Sequence, residues 1–243
     1  MGVAVIENKS IAHTGCDVLS VRLIAFINAS ASAGFAITGE PNAPPTKTGY
    51  SAVDNSAGML AAVGLLAKIV EGNGGQVDVA MYDTMLSQLN YLAGAVLNAA
   101  EKPERHARSA HQYIVPAQIF PTAEGWLTLF ITHDLFWAKF SNEVGRPEWT
   151  TAPAFVTMKA RRENRAEVLA GIGAVLATGT AREWTARLAP LGVVVAEVQG
   201  LDDALADEAT SSRRLVKQLG NGNGSVPLRA IGNPIRCDGH TPA

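Results

Sequence analysis

An aspartate, Asp54, follows the loop GEPNAPPTKTG (39–49) and immediately precedes an apolar helical pattern. Pro41, Pro44, Pro45 and the two flanking glycines forbid regular helix in that loop. The carboxylate is therefore predicted to open the helix that follows. Two uses fit that place. As an N-cap, its oxygen accepts a hydrogen bond from a free backbone N–H. As a reacting group, it stays ionised because a helix N-terminus favours negative charge, and an ionised carboxylate serves as nucleophile or base. The two roles are compatible.

The other reactive side chains form no comparable constellation. Gly72-Asn73-Gly74-Gly75-Gln76 is glycine-rich but lacks the Lys-Ser/Thr ending of a phosphate-binding loop, and it reads as a helix C-terminus. His106 and His111 fall in a polar stretch, and His133 sits beside Asp134 at an expected strand-to-helix turn. No H-E-x-x-H or similar ligand spacing occurs, so no metal is expected. No G-x-S-x-G elbow occurs either, which argues against an α/β-hydrolase. Cys16 and Cys237, the two cysteines, have no paired spacing and read as reduced thiols of a cytoplasmic enzyme.

The elements that must position Asp54 are legible as patterns. Residues 18–38 are apolar and predict a buried helix. After Asp54, Met59, Val63, Leu66 and Val70 share one helical face. Gln76–Met81 alternates like a short strand, then runs into a helical stripe of Met81, Met85, Leu89, Leu92 and Val96. Helix, strand and helix in succession predict an α/β layer. The polar segment EKPERHARSAH (101–111) marks a domain boundary. Beyond it, Tyr113–Phe120 and Trp126–Ile131 predict a hairpin. Helices are expected over 134–144 and 159–177, and one opened by the capping-box pair Thr180 and Glu183. A strand over 193–198, a helix over 202–207 and a flexible turn at 220–224 complete the pattern.

Composition narrows the partners. The 243 residues are 47% hydrophobic and 17% charged, which is ordinary for a folded protein with a sizeable core. The formal net charge of -2, with no Lys/Arg run longer than two residues, gives no basic face for nucleic acid or an anionic membrane. No apolar run is read as approaching the ~20 residues that span a bilayer. Met1–Asp17 lacks the pattern of a signal peptide. A soluble, cytoplasmic protein with neither nucleic-acid nor membrane partner is expected.

Six segments in order carry a family resemblance: TGEPNAPPTKTGYSAVDNSAGMLAAVGLLAKI, GGQVDVAMYDTMLSQL, PAQIFPTAEGWLTLFITHDLFWAKF, FVTMKARRENRAEVL, LAPLGVVVAEV and GNPIRCDGHTPA. From about residue 30 to 243 the chain resembles the CaiB–BaiF family, the family III CoA-transferases. In the family pattern G-x-x-x-x-D-x-x-x-G-M, the aspartate matches Asp54, between Gly49 and Gly58-Met59. The resemblance implies a carboxylate nucleophile that handles an acyl group through an anhydride and then an aspartyl-CoA thioester. The substrates it implies are an acyl-CoA and a small carboxylic acid, with no permanently bound cofactor. The α-methylacyl-CoA racemases belong to the same family and use the matching aspartate beside a histidine. Here Gly15-Cys16-Asp17 is the nearest local match, with cysteine in place of histidine.

The resemblance also implies a fold: α/β, a partial Rossmann-like large domain plus a smaller α+β domain. The expected division is 1–105 for the partial large domain, 106–222 for the small domain, and 223–243 for a segment returning to the first. Family members begin with a long Rossmann-like segment that supplies much of the CoA site, and residues 1–28 match it poorly. A shortened family member is expected, homodimeric if complete, or else dependent on a partner chain.

Overall fold

The computed structural model describes residues 19–22, 25–72, 74–219 and 228–238. Strand β1 (Leu19–Arg22) leads into a short helix, α1 (Ala25–Ala31), where a single buried helix over 18–38 was expected. The reason α1 stops early is local. Ser32 Oγ donates to Asn28 O at 2.5 Å, and Ala33 takes a left-handed φ of 67°. Serine hydroxyls that bond nearby carbonyls offer the backbone an alternative to helix.

Helix α2 (Ala52–Glu71) ends at Gly72, whose φ of 70° gives the left-handed cap expected of this glycine segment. Strand β2 (Val77–Ala80) pairs in parallel with β1, from Leu19↔Val77 to Arg22↔Ala80. A parallel pair needs a crossover, and α1 and α2 supply it. This is an α/β arrangement.

The outer and inner faces of α2 are the reverse of the hydrophobicity reading. Met59, Val63 and Leu66 are 60–64% exposed and Val70 is 87% exposed. The inward face is made of small residues, with Val53, Ala57 and Ala61 buried. A Cβ added to Gly64 would meet Val77 Cγ1 at 2.7 Å. Small side chains let helix and strand approach closely, and larger ones would hold them apart. With its 20 residues α2 is also long and apolar enough to cross a membrane by length and composition, which corrects the expectation that no apolar run has that length. Asp54 in the first turn and the Lys68–Glu71 ion pair in the last are its charged groups.

The stripe beginning at Met81 is divided between α3 (Met81–Gln88) and α4 (Asn90–Ala99), with a break where Asn90 takes a φ of 22°. Ala29, Val53, Ala57 and Met81 form a small core, with Phe35, Val79 and Met85 packed against it.

A second, larger core lies under an antiparallel sheet of order β3 (Ala117–Pro121), β4 (Trp126–Phe130) and β5 (Val194–Glu197). The β3–β4 hairpin runs from Ala117↔Phe130 to Pro121↔Trp126 and turns through Gly125 at φ 80°. Helices α5 (Asp134–Glu143), α7 (Arg165–Leu176) and α8 (Ala181–Leu188) contribute to this core, and α6 (Met158–Glu163) sets Arg161 against it. The helix expected over 159–177 is thus two, divided at Asn164; Val168, Ile172 and Leu176 of α7 are buried as one stripe. The capping box opens α8 as expected: Glu183 N donates to Thr180 Oγ1 at 3.2 Å, and Thr180 N donates to Glu183 Oε2 at 2.8 Å.

Trp137, Trp149 and Phe155 stack in this core at centroid separations of 5.2–6.2 Å. Arg161 lies over the Trp137 ring at 4.6 Å, fully buried. Its guanidinium donates to Val115 O at 3.1 Å, Phe155 O at 2.8 Å and Asp134 Oδ1 at 2.8 Å. Satisfying all three directions is what allows a buried cation here.

After β5 come α9 (Leu201–Ala206), α10 (Glu208–Ser212) and an antiparallel pair, β6 (Val216–Leu219) with β7 (Leu228–Ile231). The flexible turn expected at 220–224 lies outside the described residues.

Candidate active site

Asp54 is the third residue of α2, and the N-cap position belongs to Ser51. The N-cap expectation for Asp54 is therefore corrected. The helix begins two residues earlier because nothing in Ala52 or Val53 opposes it. Ser51 occupies the cap position without making the cap bond, since its side chain accepts no hydrogen bond from the first turn. Ala52 N donates to Tyr50 O at 2.9 Å and Asn55 N to Ser51 O at 3.1 Å. Val53 N–H and Asp54 N–H have no hydrogen-bond partner among the described residues. These are two of the donors that every helix N-terminus leaves over, and here no side chain takes them up.

A cavity of about 240 Å³ opens at this turn, lined by Ala29, Phe35, Lys47, Thr48, Tyr50, Ser51, Ala52, Val53 and Asp54. Two elements set its shape. Val53 and Ala57, buried in the small core, fix the rotation of α2 and leave Asp54 half-buried at the cavity. The opposite wall is the Pro/Gly loop, tied down from the 105–108 segment. Arg105 donates to Pro44 O at 3.2 Å and Pro41 O at 3.4 Å, and Arg108 N donates to Glu40 Oε1 at 2.7 Å. Gly39 enters the loop at φ 99°, where an added Cβ would meet Thr46 Oγ1 at 2.5 Å. Here glycine is required on both counts.

Sequence reasoning singled out Asp54 but not Lys47, Ser51 or Arg105. The prolines and glycines of the loop signal its backbone conformation alone. Its lysine, seven residues before a candidate nucleophile, was the signal available.

The histidines lie elsewhere. His111 Nδ1 accepts from Tyr113 N at 3.1 Å and Ile114 N at 3.2 Å, so its proton resides on Nε2. The ring stacks on Tyr91 at 5.4 Å. Burial, then the nearby Arg165 guanidinium, push His111 below the ordinary imidazole range. His106 is lowered for the same two reasons, against an opposing pull from Glu104. His133 occupies the N-cap position of α5 without a side-chain cap bond. Cys237 is exposed, and Cys16 lies outside the described residues. Larger cavities of about 440 Å³, at His111 and Tyr91, and about 720 Å³, among Ile37, Leu86, Leu92 and Val96, do not include Asp54. The smaller one holds a carboxylate beside unclaimed backbone donors.

A parallel strand pair crossed by helices, with an aspartate at the first turn of the longest, defines an α/β protein with a candidate aspartyl centre. The chain belongs to CoA-transferase family III, whose sequence profile matches residues 25–243. It is 31% identical over 193 residues to an acyl-CoA transferase of Fusarium pseudograminearum, covering 77% of this chain and 42% of that protein. It is 28% identical over 186 residues to the succinyl-CoA–D-citramalate CoA-transferase of Chloroflexus aurantiacus, covering 74% of this chain and 46% of that one. A solved CaiB/BaiF family protein from Brucella suis superposes with a TM-score of 0.70 at 25% identity, covering 89% of this chain and 56% of that chain. A Mycobacterium tuberculosis structure matches in fold at a TM-score of 0.77 and 22% identity, over 90% of this chain and 58% of that chain. The chain spans about half the length of the relatives it matches.

Proposed function

We propose that this chain carries the aspartyl centre of an acyl-CoA:carboxylate CoA-transferase, with Asp54 as the nucleophile. The observation that carries the reading is the pairing of Asp54 with the unclaimed Val53 and Asp54 N–H groups at one cavity. An Asp54 oxygen attacks the acyl carbonyl of the donor thioester; CoA leaves as thiolate and a mixed anhydride remains. The thiolate then attacks the aspartyl carbonyl, releasing the donor acid and leaving an aspartyl-CoA thioester. The incoming carboxylate attacks that carbonyl, again expelling thiolate and forming a second anhydride. Attack of the thiolate on the acceptor's acyl carbon yields the new acyl-CoA and restores the Asp54 carboxylate. Each step places negative charge on a former carbonyl oxygen, and free N–H donors at the helix start are suited to receive it. Phe35 and Val53 line the same cavity as apolar groups, which favours exclusion of water from hydrolysable intermediates.

The test is interception. During turnover with acyl-CoA, hydroxylamine should convert Asp54 to a hydroxamate detectable by peptide mass spectrometry, and Asp54→Ala should lose both label and transfer. An Asp54→Ala chain that still transfers CoA would end this reading.

The large apolar side chains exposed along α2 favour a second reading, in which the site is completed by a partner chain. Calorimetry of the purified chain with CoA separates the two: normal affinity speaks for the chain alone. The racemase alternative comes from the family resemblance; its nearest local match, Gly15-Cys16-Asp17, has cysteine in place of histidine and lies outside the described residues. Retention of the α-hydrogen of a branched acyl-CoA throughout turnover in deuterated water would dispose of it.

A further inference from the structure

We propose that His111 is an acid-released latch: its neutral ring holds the 111–114 turn closed beside the cavity of about 440 Å³, and gaining a proton lets the turn go. This cavity lies between the two parts of the fold. Tyr91 and Leu92 of α4 line one side, and Ile119, Thr128 and Phe130 of the β3–β4 hairpin line the other. The imidazole touches both sides, stacking on Tyr91 at 5.4 Å and meeting Phe130 edge-on at 6.5 Å.

The turn hangs on one acceptor. Nδ1 of His111 receives Tyr113 N at 3.1 Å and Ile114 N at 3.2 Å. An imidazolium carries a proton on that nitrogen and can no longer accept, so both N–H groups lose their partner in one event. The neighbouring bonds do not depend on the ring. His111 N donates to Ala117 O at 2.8 Å, and Arg165 Nη2 donates to His111 O at 3.0 Å and Gln112 O at 2.7 Å. On the far side Val115 is fully buried in the larger core. Release therefore falls on Tyr113 and Ile114, between two fixed points.

The charges around the ring favour the same outcome. From α7, the Arg165 guanidinium opposes a second cation. Tyr91 of α4 is a neutral phenol, and β4 presents Thr128 and Phe130, which do not titrate. In the preceding segment Glu104 lines the cavity, Glu101 accepts from Tyr113 Oη at 2.7 Å, and His106 is itself lowered by burial and then by Arg165. Among the described residues no ion pair reaches the His111 ring to steady an imidazolium. The folded form thus binds the proton less readily than the released one. The latch is complete above the ordinary value of 6.5 and opens as pH falls below it.

Hydrogen exchange of the full chain, read by NMR at pH 7.5 and pH 5.0, tests this. Expressed as protection factors, which remove the intrinsic effect of pH, Tyr113 N–H and Ile114 N–H should lose about tenfold on acidification, the scale of the bonds given up. Leu129 N–H, inside the hairpin, should keep its protection. His111→Asn retains an acceptor without titrating and should abolish the step. His111→Phe retains an aromatic ring without an acceptor and should leave both groups weakly protected at either pH. Unchanged protection in the wild type overturns the proposal, as does the same step in His111→Asn. A loss shared equally by Leu129 also overturns it, because the event would then be general unfolding.

Discussion

Replacing Arg161 by methionine removes the one buried cation of the larger core and tests what that cation does. Its guanidinium is the hydrogen-bond donor to Val115 O and Phe155 O, at 3.1 and 2.8 Å, both on residues at most 6% exposed. Methionine fills much of the space but donates nothing. Two stranded carbonyls at ~1–3 kcal/mol each give a loss of about 4 kcal/mol. Loss of the stacking over Trp137 adds to this, and relief from burying a charge subtracts. The Asp134 side chain is 59% exposed, so water partly replaces it, but Arg161 is fully buried and loses its counter-charge; Asp134→Ala should cost about 2 kcal/mol. Urea unfolding followed by tryptophan fluorescence reads both variants. At a slope of ~2 kcal/mol per molar, Arg161→Met should move the midpoint down by about 2 M and Asp134→Ala by about 1 M. Equal losses in the two variants would mean that the ion pair, not the carbonyls, is what matters. A loss under about 1 kcal/mol in Arg161→Met would refute the account of the buried donor altogether.

Ser51→Ala should change stability by less than about 0.5 kcal/mol, because the hydroxyl makes no cap bond, whereas Thr180→Ala should cost about 1 kcal/mol; urea midpoints compare them. Bonds from the Thr180 backbone and then its side chain hold Glu183 below the ordinary carboxylate range. The capping box therefore supports folding fully above that range and loses its contribution as pH falls through the lowered value, a slope that Glu183→Gln should flatten. His111, lowered by burial and then by Arg165, binds a proton less readily folded than unfolded. Its contribution is complete above the ordinary value of 6.5 and declines as pH falls below it. Melting at pH 7 and pH 5 should show this drop, and His111→Asn, which keeps an acceptor but does not titrate, should shrink it.

Much of the framework was legible because its signals are local. The Thr180/Glu183 box, the Gly72 terminus and the hairpin through Gly125 each depend on residue types within a few positions. Helix continuity was harder. The break at Asn90 falls inside an unbroken apolar stripe, and that at Asn164 in a charged stretch, KARRENRAE, without glycine or proline; periodicity over a long window smooths across both points. The first predicted helix stops early, where a serine hydroxyl and a left-handed alanine stand directly before Gly34. At the site, Asp54 was found from its surroundings in sequence. Arg105 was not, because its bonds to Pro44 O and Pro41 O reach across some sixty residues of chain, and Lys47 was not, because it comes to line the cavity only through the folded loop.

The close approach of α2 to its neighbours has a consequence for how this chain tolerates change. Ala57, Ala61 and Gly64 set the seating of the helix whose first turn carries Asp54. An added methyl or two on that side displaces the whole rod, and the carboxylate travels with it. Met59 and Leu66, on the outside, can be exchanged without moving it. Ranking these positions by side-chain size would invert their importance: the site's placement hangs on the residues with least to bury, and a seemingly mild Ala61→Val would disturb it more than Leu66→Gln.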